Sequence, residues 1–353
     1  MTIARCMRPG PGDKRAEVGS VGRVRPGPTE CTLVRPGRCP CQFCSCYGSL
    51  VTGSRSGSSP PRGPAPTIHA FRTRDGVRLH VESRGVGPTM LLCNGLFCST
   101  HYFVPWWNHF SRDYRLVQFD YRGHGRSDDA PDPTALRIAL LTDDAEQVMN
   151  ATCPDKTILV GHSMGVRIAL ELYARQPERV SALLLLCGSA FDSLGPLFSR
   201  LPMRTSVMAF LLLGDHAVPL ARIVKDAVLH ADLVARVAYL VGGMSRELTP
   251  REPIEGLMRN LERLDVRLMP PLARSYIRHS ARRILPQVDV PTLFLVGEKD
   301  SLALPSHARK VVRLLPHGEA YVVRGCTHLA PVERPDEVHS VAESFLARHH
   351  LAP

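Results

Sequence analysis

The sequence predicts an α/β fold: a mostly parallel, doubly wound sheet with an inserted helical cap and a disordered N-terminal extension. Three observations carry this. Short apolar runs of strand length alternate with stretches of helical spacing from about residue 67 to the C-terminus. The alternation breaks once, over 191–288, where helical spacing continues without a buried-type strand. Residues 1–66 contain 10 Gly and 10 Pro and little apolar periodicity. The expected organisation is therefore an extension over 1–66, a first core half over 67–190, a cap over 191–288 and a second core half over 289–353.

The extension has too little apolar content to offset its ordering entropy, so disorder is expected there. It also holds most of the charge imbalance. The chain carries +11 at pH 7, of which residues 1–66 supply 10 Arg/Lys against 3 Asp/Glu, or +7. That leaves the main body near neutrality, which argues against a nucleic-acid partner for it. Six of the eleven cysteines lie in the extension, four of them as Cys39, Cys41, Cys44 and Cys46. No second cluster or His pair completes a zinc spacing, so no metal is expected. The start, MTIARCMRPGPGDKR, lacks the roughly 7–15-residue apolar stretch of a secretory signal. No apolar run approaches the roughly 18–20 residues of a membrane span. A cytoplasmic protein with free thiols and no membrane span is the expectation.

The core opens with a β-hairpin, 68–74 and 77–82, joined by Asp75-Gly76. Apolar runs follow at 89–93, 114–119, 157–160, 182–186, 292–296 and 320–323, as in parallel strands covered on both faces. Helical spacing fills 137–150 and 166–175. Inside the break it covers 201–213, 218–241, 254–268 and 272–285. A single parallel crossover needs only one helix, so about 100 residues here read as a cap over the strand ends.

Between the run 157–160 and the helix 166–175 lies Gly161-His162-Ser163-Met164-Gly165. A serine flanked by small residues where a strand turns into a helix sits on a tight bend that lifts its hydroxyl clear of the backbone. Such a nucleophile needs a base, and the base needs an acid to orient it. Asp300 follows the strand 292–296, and His328 follows the strand 320–323. Open α/β sheets place their sites at such strand ends. Ser163, Asp300 and His328 are thus expected to be catalytic, with Glu298 as the fallback acid. The developing oxyanion needs two backbone N–H donors. Met164, directly after the nucleophile, and Leu96, in the loop after 89–93, are the candidates. Phe97 and Leu329 are expected to line a substrate pocket. His124 and His162 are read as structural, and the aromatic run Tyr102, Phe103, Trp106, Trp107 as core and rim packing.

Two further segments add a resemblance. Phe119-Asp120-Tyr121-Arg122-Gly123-His124-Gly125-Arg126-Ser127 and Thr327-His328-Leu329-Ala330-Pro331-Val332-Glu333-Arg334-Pro335 resemble signature loops of the α/β-hydrolase superfamily. The resemblance covers everything beyond the extension. It points to the capped branch of esterases, carbon–carbon bond hydrolases, haloperoxidase-like proteins and epoxide hydrolases. It departs at Asn94-Gly95, where relatives have His-Gly, and at Val166, where most have a second Gly. A Ser nucleophile in place of Asp argues against epoxide hydrolase and dehalogenase chemistry. The three side chains and the resemblance together imply a cofactor-independent serine hydrolase with a small-molecule substrate. A small or medium, mostly apolar carboxylic ester is expected, because Leu96, Phe97, Met164, Leu329 and the Leu-rich cap would give an apolar pocket. Carbon–carbon hydrolysis, lactone opening, acyl transfer and a ligand-sensing role are the alternatives.

Overall fold

The computed structural model describes residues 65–191 and 243–353, with Pro219, Arg236, Ala238 and Tyr239. The expected extension up to residue 64, the Cys39–Cys46 cluster, the helical stretch 201–213 and most of 218–241 lie outside the described residues.

All eight expected strands form, and they join one sheet. They are β1 Thr67–Arg72, β2 Arg78–Arg84, β3 Thr89–Cys93, β4 Arg115–Phe119, β5 Thr157–His162, β6 Val180–Leu186, β7 Thr292–Gly297 and β8 Gly318–Val323. The spatial order is β1-β2-β4-β3-β5-β6-β7-β8. The first two strands run antiparallel to each other, and β2 runs antiparallel to β4; the remaining pairs are parallel. The hairpin turn sits at Asp75-Gly76, where Gly76 takes φ +86° and donates its N–H to the Thr73 carbonyl at 2.9 Å. Glycine meets that left-handed requirement without steric cost.

Every residue of β3, β5 and β7 is buried, whereas edge strand β1 is exposed at alternate positions. The two-residue side-chain period sorts the central strands into two cores. Leu91, Cys93, Leu159 and Leu185 pack on one face with helices α2 (Ile138–Thr152) and α3 (Gly165–Arg175). Met90, Leu92, Ile158 and Val160 pack on the other with α1 (Val104–Phe110) and the C-terminal helix α8 (Pro335–Arg348). The aromatic run expected as core and rim packing, Tyr102, Phe103, Trp106 and Trp107, is buried, and Trp106 packs on Phe110 with ring centroids 4.4 Å apart.

Between β6 and β7 the described residues include α4 (Arg251–Arg263) and α5 (Met269–Arg278). Helix α5 stops seven residues short of the expected 272–285. The wholly buried Arg167 of α3 explains the stop. Its Nη1 binds the carbonyls of Tyr276 and His279, the latter at 2.5 Å, and its guanidinium lies 4.2 Å over the Tyr276 ring. Those carbonyls are then satisfied without a further helical turn. Helices α6 (Pro305–Val312) and the single turn α7 (Ala330–Glu333) complete the second half. Among the described residues no helix is long and apolar enough to cross a membrane.

Candidate active site

Strand β5 ends on the bend. Ser163 takes φ +54°, a left-handed conformation that costs a non-glycine residue about 1–3 kcal/mol. The surroundings hold it there: Ser163 N–H donates to the Leu186 carbonyl at 3.0 Å, and Val166 N–H returns to the Ser163 carbonyl at 3.2 Å. The flanking glycines are steric necessities. A Cβ at Gly161 would meet the Gly165 carbonyl, and one at Gly165 would collide with the Cys93 carbonyl. The bulk of Val166 is absorbed by Gly188, where any Cβ would strike Val166 Cγ2.

The bend delivers the hydroxyl to His328. Ser163 Oγ lies 2.9 Å from His328 Nε2. On the other side of the ring, Nδ1 is 2.9 Å from Asp300 Oδ2 and 3.1 Å from Oδ1. A carboxylate only accepts, so Nδ1 carries the proton and Nε2 is left with its lone pair toward the serine. Asp300 is itself fixed: its buried Oδ1 accepts from the N–H groups of Leu302 at 2.9 Å and Ala303 at 2.7 Å. Glu298 points elsewhere and accepts from Gly325 N–H at 2.9 Å. Three residues expected at separate strand ends are thereby brought into one hydrogen-bonded line.

Leu96, in the loop after β3, packs beside the site. A Cβ on Gly95 would sit 3.2 Å from Ser163 Cβ and 3.0 Å from His162 Nδ1, so the loop runs hard against the bend. Among the described residues neither the Leu96 nor the Met164 N–H has a protein acceptor. Met164 and Leu329 are buried, and Leu96 and Phe97 are half-buried against the core. Asn94, in place of the usual histidine, donates its side-chain amide to the Phe119 carbonyl at 3.0 Å. His162 stacks on Tyr102 at 3.9 Å, and burial, with His328 adding to it, pushes its pKa well below the usual range. His124 is lowered to about 4 by burial. Both rings are neutral packing groups: His162 lies 5.1 Å from the His328 ring, and His124 packs against Phe97 and Tyr121.

A family model described as alpha/beta hydrolase fold matches residues 88–335, more than half of the chain. The chain belongs to this family. Among its relatives, a pimeloyl-[acyl-carrier protein] methyl ester esterase of Xanthomonas oryzae is 26% identical over 276 residues, covering 76% of this chain and 99% of that protein. The bifunctional epoxide hydrolase 2 of Rattus norvegicus is 22% identical, over 84% of this chain and 59% of its own length. The chain spans less than two thirds of some of these relatives, 41% and 59% in two cases. Among solved structures, an esterase from Thermogutta terrifontis superimposes with a TM-score of 0.62 at 20% identity, covering 81% of this chain and all of that one.

Two supports of this α/β hydrolase are tied by contacts that sequence spacing does not reveal. Asp120 is fully buried and accepts from Thr100 N–H at 2.7 Å and Arg126 N–H at 2.9 Å, and burial raises its pKa. Glu333 takes Thr327 N–H at 2.7 Å, Thr327 Oγ1 at 2.5 Å, Ser245 N–H at 2.9 Å and Thr249 Oγ1 at 2.8 Å. It thereby pins the residue before His328 to the segment that leads into α4. Asp120 and Glu333 each stand in a motif quoted above, but a motif gives no contact list.

Proposed function

We propose that this hydrolase cleaves a small or medium, mostly apolar carboxylic ester through an acyl-enzyme. The observation that carries the reading is the line Ser163 Oγ, His328 Nε2, His328 Nδ1, Asp300, with every link between 2.9 and 3.1 Å. His328 takes the proton of Ser163 as its oxygen attacks the ester carbonyl. Asp300 holds the proton of Nδ1 and favours the imidazolium that forms. The N–H groups of Leu96 and Met164 receive the oxyanion, each worth about 3–4 kcal/mol in the transition state. Met164 is the N-cap of α3, so the helix dipole adds to its field. His328 then protonates the leaving alcohol, and water activated by the same ring releases the acid.

The apolar side chains of Phe97, Met164 and Leu329 support an apolar acyl or alcohol group, and the esterases among the relatives support an ester. The stretch 191–288 is assigned as a cap between the core halves 67–190 and 289–353. The unpaired thiols Cys93, Cys98, Cys153, Cys187 and Cys326 fit a reducing, cytoplasmic setting. A panel of p-nitrophenyl esters of increasing acyl length, with Ser163→Ala as control, tests the reading. Turnover and fluorophosphonate labelling are expected in the wild type and absent in the variant. Full labelling of Ser163→Ala, or none of the wild type, defeats it.

A further inference from the structure

We infer that Asn260, on helix α4 of the insertion, is a positioning residue that orients the oxyanion donor at Leu96. The inference rests on the serine-hydrolase reading above and deepens it. Asn260 is 4% exposed, and both ends of its amide bind backbone groups of loops far away in the chain. Nδ2 donates to the Phe97 carbonyl at 2.6 Å, and Oδ1 accepts from Gly125 N–H at 2.7 Å.

The first of these bonds reaches Leu96 through two peptide planes. The Phe97 carbonyl and the Cys98 N–H belong to one rigid planar group. That Cys98 N–H donates to the Gly95 carbonyl at 3.2 Å. The Gly95 carbonyl and the Leu96 N–H form the next plane and point in opposite directions across it. Fixing the Phe97 carbonyl therefore fixes the Cys98 N–H, which in turn fixes the direction of the Leu96 N–H. The loop needs such a hold. Phe97 is in the left-handed region at φ +58°, and Gly95 has no side chain to restrict its torsions.

The anchor behind Asn260 is firm. Gly125 belongs to the loop braced by the buried Asp120 carboxylate, which also holds Thr100 N–H. One turn earlier on α4, Gly256 lies against the His101 ring, where a Cβ would collide. The donor at Leu96 is thus held in its working direction when α4 is seated on the core. This makes the insertion part of the oxyanion device as well as a covering.

The test uses the full chain carrying Asn260→Ala, which removes both bonds, and Asn260→Asp, which keeps an acceptor for Gly125 but loses the donor to Phe97. Values of kcat and KM for p-nitrophenyl butyrate are expressed per fluorophosphonate-titratable Ser163, so that unfolded molecules do not count. In both variants kcat is expected to fall about 10- to 100-fold, less than the 10²–10³ lost with a whole donor. KM is expected to stay within about twofold. The inhibition constant of a trifluoromethyl ketone, whose adduct carries the oxyanion, rises in step with the fall in kcat. Unchanged kcat per site, or a fall in kcat with unchanged ketone inhibition, overturns the inference. So does loss of every titratable site in both variants, which would make Asn260 a residue of the fold alone. A wild type without Ser163-dependent turnover instead overturns the serine-hydrolase reading, and the inference with it.

Discussion

Replacing Asp300 by asparagine changes one atom's chemistry and leaves the volume alone. Its effect follows from the two N–H groups that bind Oδ1. Leu302 and Ala303 donate to that oxygen at 2.9 and 2.7 Å, so the amide oxygen of the introduced asparagine must take that place. The amide NH2 then occupies the position of Oδ2, 2.9 Å from His328 Nδ1. A donor facing Nδ1 forces it to accept, and the ring proton moves to Nε2, which can no longer take the proton of Ser163. Flipping the amide to restore the working tautomer sets NH2 against two N–H donors. Losing those two buried bonds costs about 2–6 kcal/mol, at about 1–3 kcal/mol for each group left unsatisfied. At about 1.4 kcal/mol per tenfold, between about one molecule in 30 and about one in 2 × 10⁴ holds the competent ring. The expected fall in kcat for p-nitrophenyl butyrate is therefore about 30-fold to about 2 × 10⁴-fold, with a melting curve close to that of the wild type. Glu298→Gln, at a carboxylate that accepts from Gly325 N–H and not from His328, serves as control and is expected to leave kcat within about twofold. Activity of Asp300→Asn within threefold of wild type, or an equal loss in the Glu298 control, would refute the tautomer argument.

Further outcomes follow from other contacts. Gly165→Ala drives a Cβ into the Cys93 carbonyl and is expected to destabilise the fold by about 1–3 kcal/mol, read as a lower urea midpoint; an unchanged midpoint contradicts the packing. Arg122 joins the wholly buried Asp144 at 2.6 Å and the exposed Asp75 at 2.7 Å, so Arg122→Met strands a buried carboxylate and is expected to cost about 3–5 kcal/mol. Asp75→Asn, at the solvent side of the same pair, is expected to cost under about 1 kcal/mol, and equal effects in the two variants would contradict this division. Burial lowers His101 and His124 to about 4 and His339 to about 3. Unfolded histidines bind protons near pH 6.5, so between there and about pH 4 the unfolded chain holds more protons than the native one. Stability is accordingly full above about pH 7 and falls as the pH drops toward 4, by up to about 1.4 kcal/mol per pH unit for each histidine. Urea midpoints that are equal at pH 8 and pH 5 would rule this out.

The strands were legible because each is a local pattern. A run such as Met90-Leu91-Leu92 has to be buried on both faces, and every residue of β3 is. The hairpin was legible because Asp75-Gly76 has one conformational use between two alternating runs. The order Ser163, Asp300, His328 was legible for a topological reason. Once β5, β6, β7 and β8 lie side by side and parallel, the residues after β5, β7 and β8 share one edge of the sheet. Helix ends were less legible. The stop of α5 at Arg278 depends on Arg167, 109 residues before Tyr276, and no window of spacing contains both.

The sequence by itself determined the sheet, the bend at Gly161–Gly165 and the three side chains aligned on it, because hydrophobic period, turn chemistry and strand order act over short stretches or through a general rule of topology. Only the tertiary structure decided what steadies them. Gly188 makes room for Val166, Glu333 pins Thr327 to Ser245 and Thr249, and Asn260 reaches Phe97 across 163 positions and Gly125 across 135. Such contacts depend on where the insertion lands on the core. A single amide or carboxylate leaves no periodic trace of the backbone group it will meet.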